Sequence, residues 1–296
     1  MEPGDFVAPM LAVTADQVFS GNGWWFETKW DGYRALISIG DQFHIYSRRG
    51  QDLLTWFPSL RAAQEMLPPG IVLDAELIAW EDGRPSFTAL QSRTAATYFL
   101  MVFDCLYQGG RWIMHEPWVA RHEILRRNVN SFGQIVVQDG VIERGRDFLA
   151  AARDMELEGV MAKRRDSPYL SGRRSPLWQK FLVYQTGWFW VVNASQSQDG
   201  SWYWTIAEPS HNGWHTVARV RAPKAWQGDG RSGRLSDDPR AMAVELSYRD
   251  RTREGQLRHA RIRRWGQSHQ ACPWPEDPPS GTDPLSENGD YPGGGG

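Results

Sequence analysis

The sequence predicts an α+β protein of two domains, the second of which is built almost entirely of strands. Through residues 1–185, short apolar runs of strand length alternate with a few helical stretches. Through residues 186–269, strand-like runs are separated by Gly, Ser, Asn and Pro, which indicates a small β-barrel or sandwich. Residues 270–296 are acidic, rich in Pro and Gly and end in four glycines, so we expect a disordered tail.

The predicted elements follow a mixed order, which favours a layered α+β domain over a strict βαβ repeat. The strands predicted in the first domain are Arg34–Ile39, Phe43–Ser47, Ile71–Trp80, Tyr98–Leu106, Val160–Lys163 and Trp178–Val183. The predicted helices are Pro58–Met66, Val119–Asn128 and Arg146–Glu156. The strands predicted in the second domain are Gly187–Ala194, Ser201–Ala207, Trp214–Val220 and Ala243–Tyr248.

Composition excludes several classes of protein. The 41% hydrophobic content is spread over 296 residues, and no apolar run approaches the length that spans a membrane. The first five residues carry two acids and no apolar core, so we expect no secretion signal there. Cys105 and Cys272 lie far apart, so we expect neither a disulfide framework nor a zinc site, and a reducing, intracellular setting.

The net charge of −2 is unevenly distributed along the chain. Residues 271–296 hold five acids and no Lys or Arg. Removing those five leaves 33 basic and 30 acidic residues, a net charge of +3, which permits DNA binding without demonstrating it. The 16 tryptophans are typical of packing or partner contacts rather than of catalysis.

One lysine has an informative neighbourhood. Lys29 is expected in a loop between two apolar runs, where Glu27, Asp31 and Arg34 flank it. The pattern Lys-x-Asp-Gly is also compatible with an Asp-Gly hairpin turn that carries a solvated lysine. This segment alone does not distinguish a nucleophile from a turn residue.

Five further segments follow in order, each of them weak by itself. They are Ser47-Arg48-Arg49-Gly50, Asp74-Ala75-Glu76-Leu77, Phe103-Asp104, Glu158-Gly159-Val160-Met161-Ala162-Lys163 and Trp178-Gln179-Lys180. With the lysine segment, the ordered set resembles the covalent nucleotidyltransferase superfamily of DNA ligases, RNA ligases and capping enzymes.

Other segments are similar to one branch of that superfamily, the ATP-dependent DNA ligase module of bacterial end-joining ligases and their stand-alone relatives. They are Met10-Leu11-Ala12, Phe57-Pro58, Arg84–Arg93 and Asp166–Ser175. The resemblance covers residues 8–185 closely and continues weakly through Val244–Tyr248 and Gly255–His259. It implies an adenylation domain of antiparallel sheets with flanking helices over residues 1–185, and an OB-fold over residues 186–269.

The chemistry of this family explains why lysines recur in the motifs. Attack on the α-phosphate of ATP needs a neutral amine, whereas a free lysine has a pKa of about 10.4. Burial, neighbouring cations and a metal ion lower that value. Lys29 is the predicted nucleophile, and Lys163 and Lys180 are the candidate cations that bind phosphate oxygens and stabilise the developing charge.

The resemblance also implies roles around the nucleotide. Glu27 and the backbone of Thr28 are expected to face the adenine, Arg34 and Glu76 to hold the ribose, and Phe103 to stack on the base. Each has an ordinary structural alternative. Glu76 is equally compatible with a surface strand carboxylate, and Phe103 with core packing.

Roles outside the nucleotide are implied for five more residues. Arg48 is expected to contact the 5′-phosphate of the nick, and Glu158 to position a divalent metal, which fits the oxygen preference of Mg²⁺. Asp31 is expected to order the lysine loop and to assist attack by the 3′-hydroxyl. Arg263 and Arg264 are expected on a basic edge of the second domain that contacts DNA phosphates.

The sequence departs from the family pattern at two places. The family places a second lysine two residues after Lys180, where this chain has Leu182. Loss of one such cation slows transfer by on the order of 10²–10³ unless another residue, such as Arg173 or Arg174, replaces it. The family also places Arg-x-Asp-Lys near the end of the OB-fold, where this chain reads Arg261-Ile262-Arg263-Arg264-Trp265.

The predicted function is that of an ATP-dependent DNA ligase with Mg²⁺ or Mn²⁺, acting as a monomer on nicked or broken duplex DNA in repair or end joining. Recruitment by end-binding or repair proteins, no membrane association, and a cytoplasmic location in a bacterium or a phage-infected cell are expected. Three alternatives stay open: a weakened ligase that seals only pre-adenylylated ends, a decayed ligase that only binds nicked DNA, and an RNA ligase or capping-type nucleotidyltransferase.

Overall fold

The computed structural model describes residues 4–211, 213–226, 233–234, 242–252 and 254–267. These residues form two compact units that divide between Val183 and Tyr184. The predicted disordered tail, residues 270–296, lies outside the described residues. None of the helices in the described part of the chain has the length and apolar character needed to span a bilayer.

The first unit contains twelve strands and five helical segments within its described residues. The strands are β1 (Leu11–Thr14), β2 (Trp24–Lys29), β3 (Tyr33–Ile39), β4 (Phe43–Ser47), β5 (Ile71–Glu81), β6 (Arg84–Pro85), β7 (Thr97–Gln108), β8 (Arg111–Trp112), β9 (Ile135–Val137), β10 (Gly140–Ile142), β11 (Gly159–Arg164) and β12 (Arg174–Leu182). The α-helices are α1 (Phe87–Ser92), α2 (Trp118–Asn128) and α3 (Gly145–Asp154). The 3-10 segments are Leu53–Thr55 and Pro58–Met66.

The strands of this unit form two sheets. The first sheet has seven strands, in the order β4-β3-β5-β7-β8, with β6 paired to β5 and β9 paired to β7. The second sheet has five strands, in the order β1-β12-β11-β2-β10. The central strand β5 is apolar along almost its whole length, as expected for a strand covered on both faces. The two acids inside this strand, Asp74 and Glu76, are therefore exceptions that need a partner.

Three apolar layers hold the sheets and helices together. One face of the seven-stranded sheet packs against the 3-10 segments, α1 and α2 through residues such as Phe57 and Leu90. The facing sides of the two sheets meet through Trp25, Phe103 and Trp178. The outer face of the five-stranded sheet packs against α3. Each side chain that the strands direct between the sheets is thereby held in a rigid frame.

The second unit is an antiparallel sheet in its described residues. Its strands are β13 (Gln185–Gln196), β14 (Trp202–Ser210), β15 (Gly213–Arg221), β16 (Gly233–Arg234), β17 (Met242–Tyr248) and β18 (Arg261–Gln267). Their order is β15-β14-β13-β17-β18, with β16 paired to β13. Trp204, Ile206 and Val244 lie in the apolar core on one face of this sheet.

Every predicted strand and helix overlaps an observed element, with three kinds of difference. Pro58–Met66 is a 3-10 helix rather than an α-helix. In the described part of the chain, eight strands and one α-helix were not predicted: β1, β2, β6, β8, β9, β10, β16, β18 and α1. The prediction that Lys29 lies in a loop is wrong, because the ladder between β2 and β11 extends to a pair between Lys29 and Gly159.

Candidate active site

A cavity of about 470 Å³ lies between the two sheets of the first unit. Most of the residues that the sequence predicts around the nucleotide line it: Glu27, Thr28, Lys29, Arg34, Arg48, Glu76, Phe103, Lys163 and Lys180. Asp31 and Glu158 are not among the lining residues, although Glu158 contacts Lys29. Residues that are far apart in the sequence therefore meet in one cavity, as the motifs predict.

Strand alternation explains why the lysines share one face of the five-stranded sheet. Successive side chains of a strand point to opposite faces, so residues two apart point the same way. On β2 this places Glu27 and Lys29 on the cavity side, while Phe26 is buried in the layer against α3. On β11 and β12 the same spacing places Lys163 and Lys180 on the cavity side.

The amine of Lys29 forms an ion pair with Glu158. The Nζ atom donates to Oε2 of Glu158 at 2.5 Å and to the carbonyl oxygen of Trp30 at 3.4 Å. The Lys29 side chain is 19% exposed and that of Glu158 is 6% exposed. Glu158 immediately precedes β11, whose first residue pairs with Lys29, so the backbone ladder brings the two side chains together.

Two glycines allow the backbones beside Lys29 to approach closely. A Cβ atom on Gly32 would lie 2.2 Å from the carbonyl oxygen of Leu77, and one on Gly159 would lie 2.1 Å from that of Phe181. The hairpin alternative for the Asp-Gly pair is wrong, because β2 and β3 belong to different sheets. Gly32 therefore lies where the chain crosses from one sheet to the other.

Arg34 is held by a carboxylate that the sequence did not single out. Its guanidinium binds Asp74 through two hydrogen bonds of 2.5 Å and donates to the carbonyl oxygen of Met10 at 3.0 Å. Tyr169 donates to the same carboxylate at 2.6 Å and accepts from the backbone N–H of Met10 at 3.0 Å. These hydrogen bonds hold the guanidinium of Arg34, the group predicted to contact the ribose, in one position.

Glu76 pairs with Arg34 across the ladder between β3 and β5 and lines the cavity. Burial raises the pKa of its carboxyl to about 7, although the positive charges of Lys29 and Arg34 oppose that rise. The carboxylates of Glu158 and Asp74 raise the pKa further. Near neutral pH this carboxyl therefore exists in both protonation states, so it can donate or accept a hydrogen bond.

Glu27 and Lys163 form a buried ion pair in the wall of the cavity. Both side chains are at most 2% exposed, and Glu27 also accepts from the indole N–H of Trp25 at 3.1 Å. Burial raises the pKa of Glu27 and lowers that of Lys163, while each charge favours the other. The ammonium of Lys163 lies 4.0 Å from the ring centroid of Phe103, and the guanidinium of Arg34 lies 4.9 Å from it.

Lys180 lies in a cluster of positive charge. Burial lowers its pKa, and the charges of Lys29, Arg174 and Arg48 lower it further, whereas Glu158 raises it. Arg174 lines the same cavity and donates to the carbonyl oxygen of Ala12. Of the two arginines considered as replacements for the missing lysine, Arg174 is the one on the cavity wall.

Three residues of the site escaped prediction. Gln138 lines the cavity, and its side-chain amide donates to the carbonyl oxygen of Thr28 at 2.6 Å. Asp74 and Tyr169 lie within the motif segments Asp74–Leu77 and Asp166–Ser175, but the sequence predicts no role for either residue. A buried acid in an apolar strand was the signal available for Asp74, whereas nothing in the sequence around Gln138 marks it.

The two arginines predicted to contact DNA lie in the second unit, on β18. The Nε atom of Arg264 binds Oε2 of Glu245 at 2.7 Å, and its guanidinium lies 5.5 Å from the ring centroid of Trp188. Its side chain is 70% exposed, and Arg263 is exposed as well. Within the described part of this sheet, the basic segment is therefore an edge strand, and the side chains of Arg263 and Arg264 are exposed.

Several known proteins are similar to this chain. The multifunctional non-homologous end joining protein LigD of Mycolicibacterium smegmatis is 35% identical over 189 residues, covering 62% of this chain and 24% of that protein. The SPbeta prophage-derived DNA ligase-like protein LigB of Bacillus subtilis is 31% identical, covering 60% of this chain and 68% of that protein. The chain thus spans about a quarter of the length of the LigD proteins.

Solved structures show the same likeness. The crystal structure of the ligase domain from M. tuberculosis LigD matches with a TM-score of 0.58 and 27% identity, over 89% of this chain and 97% of that chain. A mycobacterial DNA ligase D complexed with ATP and MES matches with a TM-score of 0.57 and 27% identity, over 90% of this chain and 98% of that chain. The first unit thus has the nucleotidyltransferase fold of a ligase domain.

A family match decides the assignment. Residues 9–181 match the ATP-dependent DNA ligase domain. This segment is more than half of the chain and contains every residue that lines the cavity, from Leu11 to Lys180. Because the matched segment and the cavity that collects the motif residues coincide, the chain belongs to the family of ATP-dependent DNA ligases.

Proposed function

We propose that this chain seals nicks between a 5′-phosphate and a 3′-hydroxyl in duplex DNA, through AMP carried on Lys29, in DNA repair or end joining. One observation carries the proposal. The Lys29 amine, the carboxyl of Glu76 and the cations Arg34 and Lys180 reach one cavity from four different strands. An amine surrounded by phosphate-binding cations and buried carboxyls suits transfer of a nucleotide.

The reaction has three balanced steps. The neutral Lys29 amine attacks the α-phosphorus of ATP, a P–N bond forms, the bond to the β-phosphate oxygen breaks, pyrophosphate leaves and the nitrogen gives one proton to solvent. An oxygen of the 5′-phosphate then attacks the same phosphorus, the P–N bond breaks and the amine takes up a proton from solvent. Finally the 3′-hydroxyl attacks the phosphorus of the 5′-phosphate and gives its proton to solvent, the anhydride bond to AMP breaks and AMP leaves.

The residue roles follow from the charges in the cavity. Lys163 is already paired with Glu27, so Lys180 and Arg174 are the freer cations for the α-phosphate. A carboxylate has about four lone-pair sites, so Glu27 keeps capacity for the amino group of adenine. Arg34 and Glu76 would hold the ribose.

Four further residues have roles in the proposed site. Phe103 would stack on the base, the Thr28 backbone would face the adenine, and Arg48 would bind the 5′-phosphate. Asp31 would order the turn that follows Lys29, next to the crossover at Gly32.

A divalent metal fits the cavity only together with phosphate. Among the described residues, no group of three or more His, Cys, Asp or Glu side chains is placed to hold an ion. Mg²⁺ is commonly held by one or two carboxylates, with substrate phosphates and water as its other ligands. Glu158 would supply the carboxylate, and the ion would neutralise phosphate charge. Either Mg²⁺ or Mn²⁺ suits these oxygen ligands.

The second unit would bind DNA without reading its sequence. We infer an OB-fold for it, because β13 pairs with both β14 and β17, and β17 pairs with β18, as in a five-stranded barrel of that type. Arg263 and Arg264 would contact phosphates. The protein would work inside a bacterial or phage-infected cell as a monomer that other repair proteins recruit.

The test is transfer of label from ATP labelled at the α-phosphate. Wild type is expected to retain label that is stable to denaturation, and Lys29→Ala to retain none. Equal retention by both proteins would remove the assignment of Lys29. A labelling series with ATP and GTP, followed by sealing of nicked DNA and nicked RNA, separates a DNA ligase from a capping-type enzyme and an RNA ligase.

A second candidate is a ligase that is weak in the first step. Leu182 lies two residues after Lys180 on β12, on the same face, where the family has a lysine. Such a protein would seal a 5′-adenylylated nick faster than a 5′-phosphorylated nick. Equal rates on the two substrates would exclude this candidate, and binding without any sealing of either would indicate a decayed ligase.

A further inference from the structure

An exposed tryptophan lines the cavity and is not among the residues assigned to ATP. Trp56 lines the cavity and is 36% exposed, which is uncommon for so large an apolar side chain in a rigid segment. The guanidinium of Arg93 lies 5.6 Å from its ring centroid, within range of a cation–π contact. The indole therefore combines an accessible aromatic surface with an adjacent positive charge.

The backbone on both sides of Trp56 is anchored, so its exposure is not the result of a loose loop. Leu53 and Phe57 are 0% and 2% exposed and belong to the core of the seven-stranded sheet. Asp52 caps the 3-10 turn that precedes Trp56, accepting from the N–H of Leu54 at 2.9 Å. The fold holds the indole at the surface instead of packing it inside.

Part of the cavity wall is cationic. Arg48 and Arg49 line it, and Arg48 lies near enough to Lys180 to lower the pKa of that lysine. Over residues 47–56, the lining residues include no acid. Exposed aromatic rings beside cations that follow a phosphate chain are the combination with which proteins bind nucleic-acid strands, because every base offers a flat face.

We propose that Trp56, supported by Arg93, stacks on the base of the nucleotide that carries the 5′-phosphate of the nick. The proposal rests on the proposed function, since Arg48, which also lines the cavity, would bind that phosphate. Trp56 is thereby a DNA-binding residue that positions the 5′ end, separate from the residues that hold ATP.

The first test uses Trp56→Ala, Trp56→Phe and a matched control. Phe132→Ala removes another exposed aromatic ring of the same unit, one that does not line the cavity. We expect Trp56→Ala to raise the KM for nicked DNA by on the order of tenfold, from the worth of one stacked base. Trp56→Phe should recover part of that loss, and Phe132→Ala should match wild type. The rate of lysyl-AMP formation is measured for each variant as well, so that any effect of the substitution on the residues assigned to ATP is accounted for.

The second test changes the DNA. A nick whose 5′-phosphorylated nucleotide is abasic should raise the KM of wild type by on the order of tenfold, and should not raise that of Trp56→Ala further. An equal abasic penalty in both proteins, or a wild-type KM for Trp56→Ala, would overturn the proposal. Fluorescence anisotropy of the two nicked duplexes gives the same comparison as affinities, so the proposal is tested even if wild type forms no lysyl-AMP and the proposed function fails.

Discussion

The hydroxyl of Tyr169 lies 2.6 Å from Oδ2 of Asp74 and closes a ring of hydrogen bonds behind the cavity. Asp74 accepts from Arg34, Arg34 donates to the carbonyl oxygen of Met10, and the N–H of Met10 donates back to Tyr169. Tyr169 is 4% exposed and Asp74 is fully buried. Apart from Arg34 itself, none of the residues in this ring lines the cavity.

Tyr169→Phe should loosen this ring. The N–H of Met10 would lose its acceptor and Asp74 one donor, so we expect the free energy of unfolding to fall by about 1–3 kcal/mol. The KM for ATP in lysyl-AMP formation should rise several-fold, because Arg34 would no longer be held in one geometry. Urea unfolding and the ATP dependence of labelling measure the two effects. Tyr98→Phe is the matched control, and a KM equal to wild type in Tyr169→Phe would refute the positioning role.

Much of the site was predictable because the ordered motifs resemble those of one family, and the resemblance implied a shared site for their residues. Strand alternation places Glu27 and Lys29 on one face of β2, but that strand itself was not predicted. The location of Lys29 was predicted less well, since the end of β2 depends on its ladder with β11, far away in the sequence.

The partners of the charged residues were not predictable in the same way. The pairs Glu27–Lys163 and Arg34–Asp74 each join neighbouring strands of one sheet, β2 with β11 and β3 with β5. No spacing in the sequence encodes which strands are neighbours. The contact between Gln138 and Thr28 likewise joins residues that are far apart in the sequence. Local patterns fix which face a side chain occupies, and tertiary packing decides which charge it meets.

Asp104 lies in a motif, yet its contacts predict a role in stability. Its carboxylate binds Arg121 of α2 through two hydrogen bonds of 2.8 Å, and both side chains are fully buried. Asp104→Ala would leave a buried guanidinium without its counter-ion, which costs about 3–5 kcal/mol. Glu123→Ala, which breaks the exposed pair with Arg127 on the same helix, should change stability by at most about 0.5 kcal/mol. Urea unfolding measures the free energy of unfolding of both variants. Similar decreases for Asp104→Ala and Glu123→Ala would contradict this prediction.

Arg174 should carry the function of the missing family lysine. Arg174→Ala is expected to slow lysyl-AMP formation by on the order of 10²–10³, because a cation on the cavity wall is lost. Arg173→Ala, which removes a neighbouring charge that does not line the cavity, should leave the rate near that of wild type. Adding Leu182→Lys to Arg174→Ala should restore part of the rate. Rapid-quench labelling measures all three, and equal rates for the two alanine variants would refute the assignment.

Glu158→Gln should separate the positioning of Lys29 from the general stability of the fold. The amide keeps the shape but loses the charge that faces the amine at 2.5 Å. We expect lysyl-AMP formation to slow by on the order of 10²-fold, with a higher Mg²⁺ concentration at half-maximal rate. Glu156→Gln changes a nearby exposed acid and should match wild type. An unchanged Mg²⁺ dependence in Glu158→Gln would argue against a metal-binding role.

His122 should make the stability of the first unit fall as the pH drops below neutral. Burial lowers its pKa to about 4, and the charge of Lys163 adds to that effect. Its ring stacks on Trp118 with a centroid separation of 4.7 Å. Between its unfolded pKa, about 6.5, and its folded pKa, the unfolded chain binds more protons than the folded chain, so protonation favours unfolding.

Urea unfolding at pH 7.5 and pH 5.5 measures the size of this effect. From pH 7.5 to pH 5.5, the free energy of unfolding of wild type should fall by about 1 kcal/mol more than that of His122→Phe. This variant keeps an aromatic ring on Trp118 and cannot be protonated at that position. The control is His115→Gln, since the His115 side chain is 72% exposed. Its free energy of unfolding should fall by as much as that of wild type. Other groups also titrate over this pH range. Their contribution is the same in both histidine variants and cancels when the two changes in free energy of unfolding are subtracted. An equal loss in wild type and His122→Phe would show that His122 is protonated at little cost within the folded unit.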